Sequence, residues 1–454
     1  MALLIKNARF IATMDDEDRE LKDQDILIEG PAISAIGPGL KAPPGARELD
    51  ASRHWVFPGL VNTHHHLYQT LTRCLAPIQQ AELFPWLQYL YPIWAGLTPD
   101  GVRAGALVGL AELLKSGCTT AGDHHYVFPR GQSRLIDSEI AAARELGIRF
   151  HPCRGSMSLG KKDGGLPPDS VIQDEEEILA DSRRLIDKYH DTKPYSMCRL
   201  ALAPCSPFSV TRSLLEKTGE LARRHGVRLH THLAETKDEN SFCLEKVGLR
   251  PLAYMKEAGW LGGDCWYAHG VHFNQEELEE LAGAGAGVAH CPASNQKLSS
   301  GAAPIPAMLA LGIPVGLAVD GSASNDGSNL LAELKEALLV AKAAWGIDSL
   351  NARQVLAMAT RGGAALLGRE DIGSLAPGMA ADLFLVRADG VDYAGCHDPV
   401  TALVTCGSSE TVDMTIVNGS IVVEGGRLLT IKEEEVAREG NEAARELLEK
   451  AGIA

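Results

Sequence analysis

The 454-residue sequence predicts an α/β fold: a closed (β/α)₈ barrel that carries a small β-sandwich made from both chain ends. Three observations support this prediction. Short apolar segments alternate with helical stretches through the middle of the chain, both ends hold only short β-like runs, and histidines or acidic residues follow several of the apolar segments. Single barrels with added segments reach this length.

Eight apolar segments that end in polar residues are predicted to be the barrel strands. Helices are predicted between them, for example at 107–115, at 214–225 closed by Gly226, and at 329–345, where apolar residues recur every three or four positions. An open doubly wound sheet is the alternative, but no Gly-x-Gly-x-x-Gly turn follows the first strand. The predicted strands are 56–66, 117–125, 148–155, 199–207, 227–235, 265–271, 287–292 and 314–321.

The two chain ends share a residue pattern that differs from that of the middle of the chain. Short alternating runs broken by Gly and Pro occupy residues 1–57 and 370–430, and the pair Asn418-Gly419 is a strong hairpin signal. Neither end is large enough to bury a core alone, so we expect them to pack together. The expected division is 1–57 as the N-terminal part of the β-sandwich, 58–368 as the barrel, and 369–454 as the C-terminal part with a terminal helix at 433–450.

Composition restricts the partners of this protein. The formal net charge of −16 argues against nucleic acid or an anionic membrane surface and favours a small, weakly charged substrate. The ten cysteines form no Cys-x-x-Cys pair, no secretory signal precedes them, and no run of about 18 apolar residues occurs. We therefore expect a cytoplasmic protein without a transmembrane helix. Because barrel enzymes are often symmetric oligomers, we also expect a homo-oligomer.

A metal site is predicted at the strand ends. Alternation along a strand lets His64 and His66 point to one ion while His65 points away. His232 and Asp320 end two later strands and complete a set of three imidazoles and one carboxylate. Taken singly, each could be an ordinary polar residue that caps a loop or helix. Together they suit Zn²⁺ with room for a water molecule, although Fe²⁺ is accepted by the same ligand types.

Five motifs resemble the amidohydrolase superfamily, and more narrowly its cytosine, guanine and triazine deaminase branch. The resemblance covers the whole chain and implies one zinc ion, without a carboxylated lysine that bridges two metals. The absence of lysine from Ala-Pro-Cys-Ser at the end of the fourth strand agrees with this pattern. The motifs are Pro-Gly-Leu-Val-Asn-Thr-His-His-His (58–66), Thr-His-Leu-Ala-Glu-Thr (231–236), Ala-His-Gly (268–270), Val-Asp-Gly (319–321) and Gly-Ser-Leu-Ala-Pro-Gly-Met-Ala-Ala-Asp-Leu (373–383).

These parts predict hydrolysis of a cyclic amidine. Metal-bound hydroxide is expected to attack a ring carbon that bears an exocyclic amine, and a side chain must then carry a proton to the leaving amine. We assign that transfer to Glu235, which requires the chain to bend after His232 because strand alternation would turn Glu235 away. Asp320 is expected to bind metal and to accept the proton of the water. The resemblance implies that His269 orients the water.

Substrate residues are predicted mainly from resemblance. Gln69 completes the spacing His-x-His-x-x-Gln of guanine deaminases, whereas Cys205 stands where those enzymes place an arginine. With Cys205 at this position, the surrounding sequence resembles that of bacterial 8-oxoguanine deaminases. This resemblance implies conversion of 8-oxoguanine and water to urate and ammonia by attack on C2. Cys205 could contact the five-membered ring. Trp86 could form a pocket wall or ordinary core, and Asn295 could reach substrate or stabilise a loop.

Several alternatives remain at this point. A hydroxyatrazine-type triazine amidohydrolase shares nearly every motif, and another aminopurine or guanine deaminase is also consistent with the residues. A non-catalytic barrel that acts as a binding or assembly protein is the third alternative, but it predicts missing ligands. The aromatic segment 83–94 could be a lid, an interface or both.

Overall fold

The computed structural model describes residues 2–407 and 412–453. Its strands, numbered along the chain, are β1 (Ala2–Ala8), β2 (Phe10–Ala12), β3 (Glu20–Leu21), β4 (Gln24–Glu29), β5 (Ala32–Gly37), β6 (Arg47–Asp50), β7 (His54–Pro58), β8 (Leu60–Asn62), β9 (His65–His66), β10 (Cys118–His125), β11 (Arg149–Ser156), β12 (Ala201–Pro204), β13 (Arg228–Leu233), β14 (Cys265–His269), β15 (Gly287–His290), β16 (Val315–Leu317), β17 (Asp320–Gly321), β18 (Leu383–Arg387), β19 (Met414–Val417), β20 (Ser420–Glu424) and β21 (Arg427–Leu428).

Eight parallel strands form the barrel in the order β8, β10, β11, β12, β13, β14, β15 and β16, which confirms the predicted fold class. The last strand meets the first through the backbone N–H and the hydroxyl of Thr63, which donate to the Leu317 carbonyl at 3.2 and 3.0 Å. Just beyond, β9 and β17 pair in parallel, with His65 opposite Asp320. We call this junction of residues 63–66 with 317–321 the seam, and it closes the barrel.

The segment predicted as one strand at 56–66 is divided in the structure. β7 lies antiparallel to β18 in a terminal sheet, whereas β8 begins the barrel. The chain changes sheets at Gly59, where a Cβ would lie 2.1 Å from Oγ1 of Thr119, so a side chain does not fit there. The single-strand prediction was wrong because an apolar run looks the same in either sheet.

Both chain ends build the predicted β-sandwich. One sheet has the order β5-β4-β1-β6, and the other has the order β21-β20-β19-β18-β7-β2-β3. Side chains from both ends, including Ile5, Ile28, Leu383 and Ile416, are buried in one shared cluster. The predicted hairpin at residues 418–419 joins β19 to β20, with φ of 52° and 78°. The proposed domain boundary at 57/58 falls within β7.

Helices cover the barrel between its strands. The three predicted helices lie within α2, α5 and α11 of the structure, and Gly226 ends α5 in the left-handed conformation with φ 66°. The α-helices are α1 (Leu83–Trp94), α2 (Pro99–Lys115), α3 (Leu135–Leu146), α4 (Glu175–Tyr189), α5 (Arg212–His225), α6 (Lys237–Val247), α7 (Pro251–Glu257), α8 (Gln275–Ala284), α9 (Pro292–Lys297), α10 (Ile305–Ala310), α11 (Leu330–Trp345), α12 (Ala352–Ala357), α13 (Gly363–Leu366), α14 (Pro399–Thr405) and α15 (Glu433–Lys450).

Across residues 2–407 and 412–453, none of these helices has the combination of length and hydrophobicity that a membrane span requires.

A buried ion pair joins the barrel to the β-sandwich. Nε and Nη2 of Arg149 on β11 donate to the two carboxylate oxygens of Asp382 at 3.1 Å, and both side chains are almost fully buried. The same guanidinium also donates to the carbonyls of Tyr195 and Ser196 and to Oδ1 of Asn418. Its five donors are therefore occupied by partners from separate parts of the chain.

Asp382→Ala is expected to lower the free energy of unfolding by about 3–5 kcal/mol, because it leaves the Arg149 charge buried without its partner. Urea unfolding followed by circular dichroism measures this change. Glu216→Ala breaks the exposed pair with Arg212 and should cost less than about 1 kcal/mol. Equal losses for the two variants would contradict a special role for the buried pair.

Candidate metal centre and active site

The seam brings residues from the first and last barrel strands together. The backbone N–H of Asp320 donates to the His64 carbonyl at 3.2 Å, and Gly321 pairs with His66 in the short β9–β17 ladder. The Asp320 backbone has φ 60°, a left-handed conformation that costs a non-glycine residue about 1–3 kcal/mol and that concentrates at functional sites. Barrel closure thus sets the spacing between the histidines and this carboxylate.

The rings of His66 and His232 are held by backbone carbonyls on their outer sides. Nδ1–H of His66 donates to the His124 carbonyl at 2.7 Å, and Nδ1–H of His232 donates to the Cys205 carbonyl at 2.7 Å. With Nδ1 carrying the proton, Nε2 of each neutral ring keeps a free lone pair. Burial lowers the pKa of His66 to about 4, so its ring is neutral. Metal ligation requires this neutral form.

His64 is oriented by a second histidine that the sequence analysis did not identify. Nδ1–H of His64 donates to Nε2 of His230 at 2.7 Å, and Nδ1–H of His230 donates to the Trp266 carbonyl at 2.9 Å. The His230 ring also stacks on the Trp266 indole, with ring centroids 4.3 Å apart. This chain leaves Nε2 of His64 buried and without a hydrogen-bond partner among the described residues, which suits a metal ligand.

The free atoms converge at spacings that fit one metal ion. Nε2 of His66 lies 3.1 Å from Nε2 of His232, while Oδ1 of Asp320 lies 3.2 Å from Nε2 of His64 and 3.3 Å from Nε2 of His66. A tetrahedral zinc ion with bonds of about 2.0–2.1 Å holds its ligand atoms about 3.3 Å apart. The four predicted residues fall in two overlapping buried groups that could hold a metal: His64, His66 and His232 with His124, and His64 and Asp320 with His269.

Asp320 is itself fixed by two hydroxyl groups. Its Oδ2 accepts hydrogen bonds from Oγ of Ser294 at 2.6 Å and Oγ of Ser324 at 3.1 Å. Burial alone would raise the pKa of Asp320, but the surrounding histidines, with His64 and His269 foremost, outweigh burial and hold the pKa well below the usual value. Asp320 is therefore ionised, with Oδ1 facing the imidazole nitrogens.

The predicted bend after His232 is present. Ala234 takes φ 53° immediately after β13, which ends the strand alternation before Glu235. Both backbone N–H groups of residues 234 and 235 donate to the carboxylate of Glu239 at 2.9 Å, a contact absent from the sequence analysis. Glu235 is buried, and burial raises its pKa to about 7. A carboxyl group of this pKa can exchange a proton near neutral pH.

His269 lies beside Glu235. Nε2 of His269 is 3.6 Å from Oε2 of Glu235, and Nδ1–H donates to Oδ1 of Asn295 at 2.9 Å. Burial would lower the pKa of His269, but the carboxylates of Glu235 and Asp320 outweigh burial and raise it above the usual value. The structure thus gives Asn295 a contact that the sequence analysis did not predict, since it orients His269 from behind.

The predicted substrate residues Gln69, Trp86 and Cys205 all line one cavity next to the metal cluster. Helix α1 forms one wall of this cavity, with Trp86 and Tyr91 buried against it. Burial raises the pKa of Cys205 to about 12, so its side chain is a neutral thiol. Besides this thiol, Cys205 contributes the carbonyl that orients His232.

Gly321 leaves the space that Gln69 occupies. A Cβ at residue 321 would lie 1.9 Å from Oε1 of Gln69. Gly321→Ala should therefore displace the amide and lower kcat/KM by about tenfold or more, because misplacement of a positioning group weakens binding in the transition state. Gly283→Ala is a matched control, since nothing lies within 4 Å of a Cβ there. An unchanged kcat/KM in Gly321→Ala would contradict a positioning role for Gln69.

A second buried cluster supports the metal site from behind. Nδ1 of His125 lies 2.7 Å from Oε1 of Glu139, and Oδ1 of Asp123 accepts the backbone N–H of Leu67 at 2.7 Å. Leu67 follows His66 directly, so this bond holds the backbone next to a candidate ligand. Burial raises the pKa of Glu139 to about 8. The sequence analysis left His125 without a role.

Comparison with known proteins places this architecture in a family. A family model described as "Amidohydrolase family" matches residues 55–422. One relative, 8-oxoguanine deaminase from Pseudomonas aeruginosa, is 51% identical over 402 residues, which cover 88% of this chain and 89% of that protein. Hydroxydechloroatrazine ethylaminohydrolase from Pseudomonas sp. is 37% identical, with 96% of this chain and 94% of that protein covered.

A solved structure agrees with these sequence matches. The zinc complex of atrazine chlorohydrolase from Arthrobacter aurescens TC1 superposes with a TM-score of 0.95 at 37% identity, and the match covers 97% of this chain and 100% of that chain. The family model matches most of the sequence, and the same chain has the barrel, the flanking β-sandwich and the buried histidine and aspartate residues described above. The chain therefore belongs to the amidohydrolase family.

Proposed function

We propose that this protein is a zinc-dependent hydrolytic deaminase that converts 8-oxoguanine and water to urate and ammonia. The observation that carries the proposal is the convergence of Nε2 of His64, His66 and His232 with Oδ1 of Asp320 beside Glu235 and His269. The relative from Pseudomonas aeruginosa, 51% identical, supports the choice of substrate. Zinc is favoured because it takes this number and type of ligands, although Fe²⁺ suits them as well.

The chemistry joins a water oxygen to C2 of the ring and breaks the bond between C2 and the exocyclic nitrogen. His64, His66, His232 and Asp320 would hold a divalent ion, which would lower the pKa of a bound water to about 7. Glu235 would carry one proton of the water to the adjacent ring nitrogen, where it stays in urate, and would then carry the second proton to the departing amine. Ammonia, rather than the amide ion, then leaves, because the amine is protonated before the bond breaks.

His269 and Asp320 also have roles in the proposed reaction. His269 is a positively charged donor in the proposed reaction, since the two neighbouring carboxylates raise its pKa. It orients the water and stabilises the negative charge that develops on oxygen during attack. Asp320 would help to hold the metal and would accept the second proton of that oxygen as the C2 carbonyl of urate forms, before this proton passes through Glu235 to the departing amine.

The cavity residues are proposed to bind the purine. The Gln69 amide can donate and accept along one edge of the ring, the neutral Cys205 thiol is a weak partner for the five-membered ring, and Trp86 supplies apolar area on the α1 wall. Asn295 is proposed to act through His269 instead of contacting substrate directly, because its Oδ1 accepts the Nδ1–H of that ring.

A direct assay tests the proposal against its main alternative. Purified zinc-loaded enzyme should form urate from 8-oxoguanine, seen as growth of the urate ultraviolet band, and should release little ethylamine from hydroxyatrazine. The triazine activity is the second candidate, since a triazine hydrolase structure shares the fold at a TM-score of 0.95. Urate formation no faster than in the metal-free blank would refute the 8-oxoguanine assignment.

The third alternative, a non-catalytic binding or assembly barrel, predicts turnover of neither substrate. The same assay separates it from both enzymes.

A further inference from the structure

Helix α1 turns one face toward the cavity. Leu83, Trp86, Leu87 and Tyr91 line the space and recur at helical spacing. Residues of the metal cluster at the ends of the barrel strands line another part of the same cavity, as expected for a barrel whose chemistry lies at the carboxyl ends of its strands. A planar substrate whose reacting carbon lies at the metal cluster therefore presents its remote edge to α1.

Two polar atoms of this helix are buried without a well-formed hydrogen bond. Nε1 of Trp86 and the hydroxyl of Tyr91 have no partner in good hydrogen-bond geometry among the described residues, and Tyr126 is the polar side chain next to Tyr91. A buried donor without a partner costs about 1–3 kcal/mol. Native structures rarely accept this cost, and an orphaned donor that lines a ligand cavity indicates that the ligand supplies the acceptor.

Both groups act as donors. An indole nitrogen has a hydrogen to give and no lone pair to offer. Burial, together with the nearby Tyr126 and Cys205 side chains, holds the pKa of Tyr91 well above the usual value, so its phenol keeps its proton. Two neutral donors on residues that line the same cavity suit a carbonyl oxygen, which has two lone pairs.

We propose that the Tyr91 hydroxyl, assisted by the Trp86 N–H, receives a carbonyl oxygen on the substrate ring remote from the attacked carbon and so selects oxidised purines over guanine. This inference rests on the proposed function. In 8-oxoguanine that oxygen is the C8 carbonyl, whereas guanine carries only hydrogen at C8. When guanine binds, no C8 oxygen is present and the two donors stay buried without an acceptor. A site built to bind a polar group strongly rejects an analogue that lacks that group.

The product pair urate and xanthine provides a test that does not depend on turnover. The two molecules differ in the oxygen at C8, so their inhibition constants isolate the contact at that position. Tyr91→Phe removes only the hydroxyl and should weaken inhibition by urate about tenfold or more, while inhibition by xanthine changes less than about threefold. The kcat/KM for 8-oxoguanine should fall by about the same factor as the inhibition constant of urate rises.

Two further variants keep the test decisive. Tyr89→Phe makes the same change two residues earlier on α1, at a half-buried position, and should leave both inhibition constants unchanged. Trp86→Phe should repeat the urate-selective loss if Tyr91→Phe fails to fold, as judged by its thermal melting. Equal weakening of urate and xanthine, or no weakening of either, would overturn the inference. Absence of urate formation by the unsubstituted enzyme would instead overturn the proposed function.

Discussion

Glu235→Gln is expected to slow turnover about a thousandfold while the protein keeps one bound metal ion per chain. Glutamine preserves the shape of the side chain but cannot carry a proton, and a positioned acid–base group contributes about 10²–10⁴ to the rate. The metal should remain because its proposed ligands are the histidines and Asp320, whereas Glu235 lies next to His269. Urate formation and metal analysis on the same preparation measure both quantities.

An exposed glutamate on the adjacent helix provides the control. Glu245 lies on α6 with 77% of its side chain exposed, so Glu245→Gln should leave turnover and metal content unchanged. If Glu235→Gln kept more than about a tenth of the turnover, Glu235 would have no place in proton transfer. If it lost the metal as well, the residue would instead belong to the metal site.

His66→Ala is expected to lose the metal and to reduce turnover about 10⁴-fold, to the level of metal-free protein. The change removes one of the four proposed ligand atoms and with it much of the affinity for the ion. Unsubstituted enzyme stripped with a chelator should recover its activity when zinc is restored, whereas His66→Ala should not. Metal content per chain and urate formation follow the two effects.

The neighbouring histidine is a stringent control for this prediction. His65 is buried beside His66, but its Nε2 lies 2.9 Å from Oγ of Ser328, away from the cluster. His65→Asn should therefore retain one metal ion per chain, even if it lowers thermal stability. A metal loss equal to that of His66→Ala would show that packing of the segment, rather than ligation by His66, controls metal binding.

Local patterns were sufficient to predict the barrel and the candidate ligands. Strand residues alternate and helices repeat every three or four residues, so the eight β-α units could be read within short windows. Each proposed metal ligand also lies near the carboxyl end of a predicted strand, and these ends meet on one face of a barrel. Positions such as His232 and Asp320 could be grouped through this rule without knowledge of any distance.

Contacts between distant segments could not be predicted in this way. His230 lies on the same strand as His232, yet its partner His64 is 166 residues earlier in the chain. Asn295 on α9 meets His269, which ends β14 in the left-handed conformation with φ 75°. Whether an asparagine at a strand end faces a ligand or a neighbouring ring is decided by tertiary packing, which sequence periodicity does not encode.

The seam also has a consequence for how the protein matures. His66 and Asp320 belong to the first and last parts of the barrel, so a nascent chain carries the histidine pair long before the carboxylate has been synthesised. High-affinity metal capture must therefore await docking of the final strand. Because an ion that binds only the folded state stabilises that state, its arrival also holds the two barrel edges together. Metal supply in the cell thereby becomes a factor in the yield of folded protein.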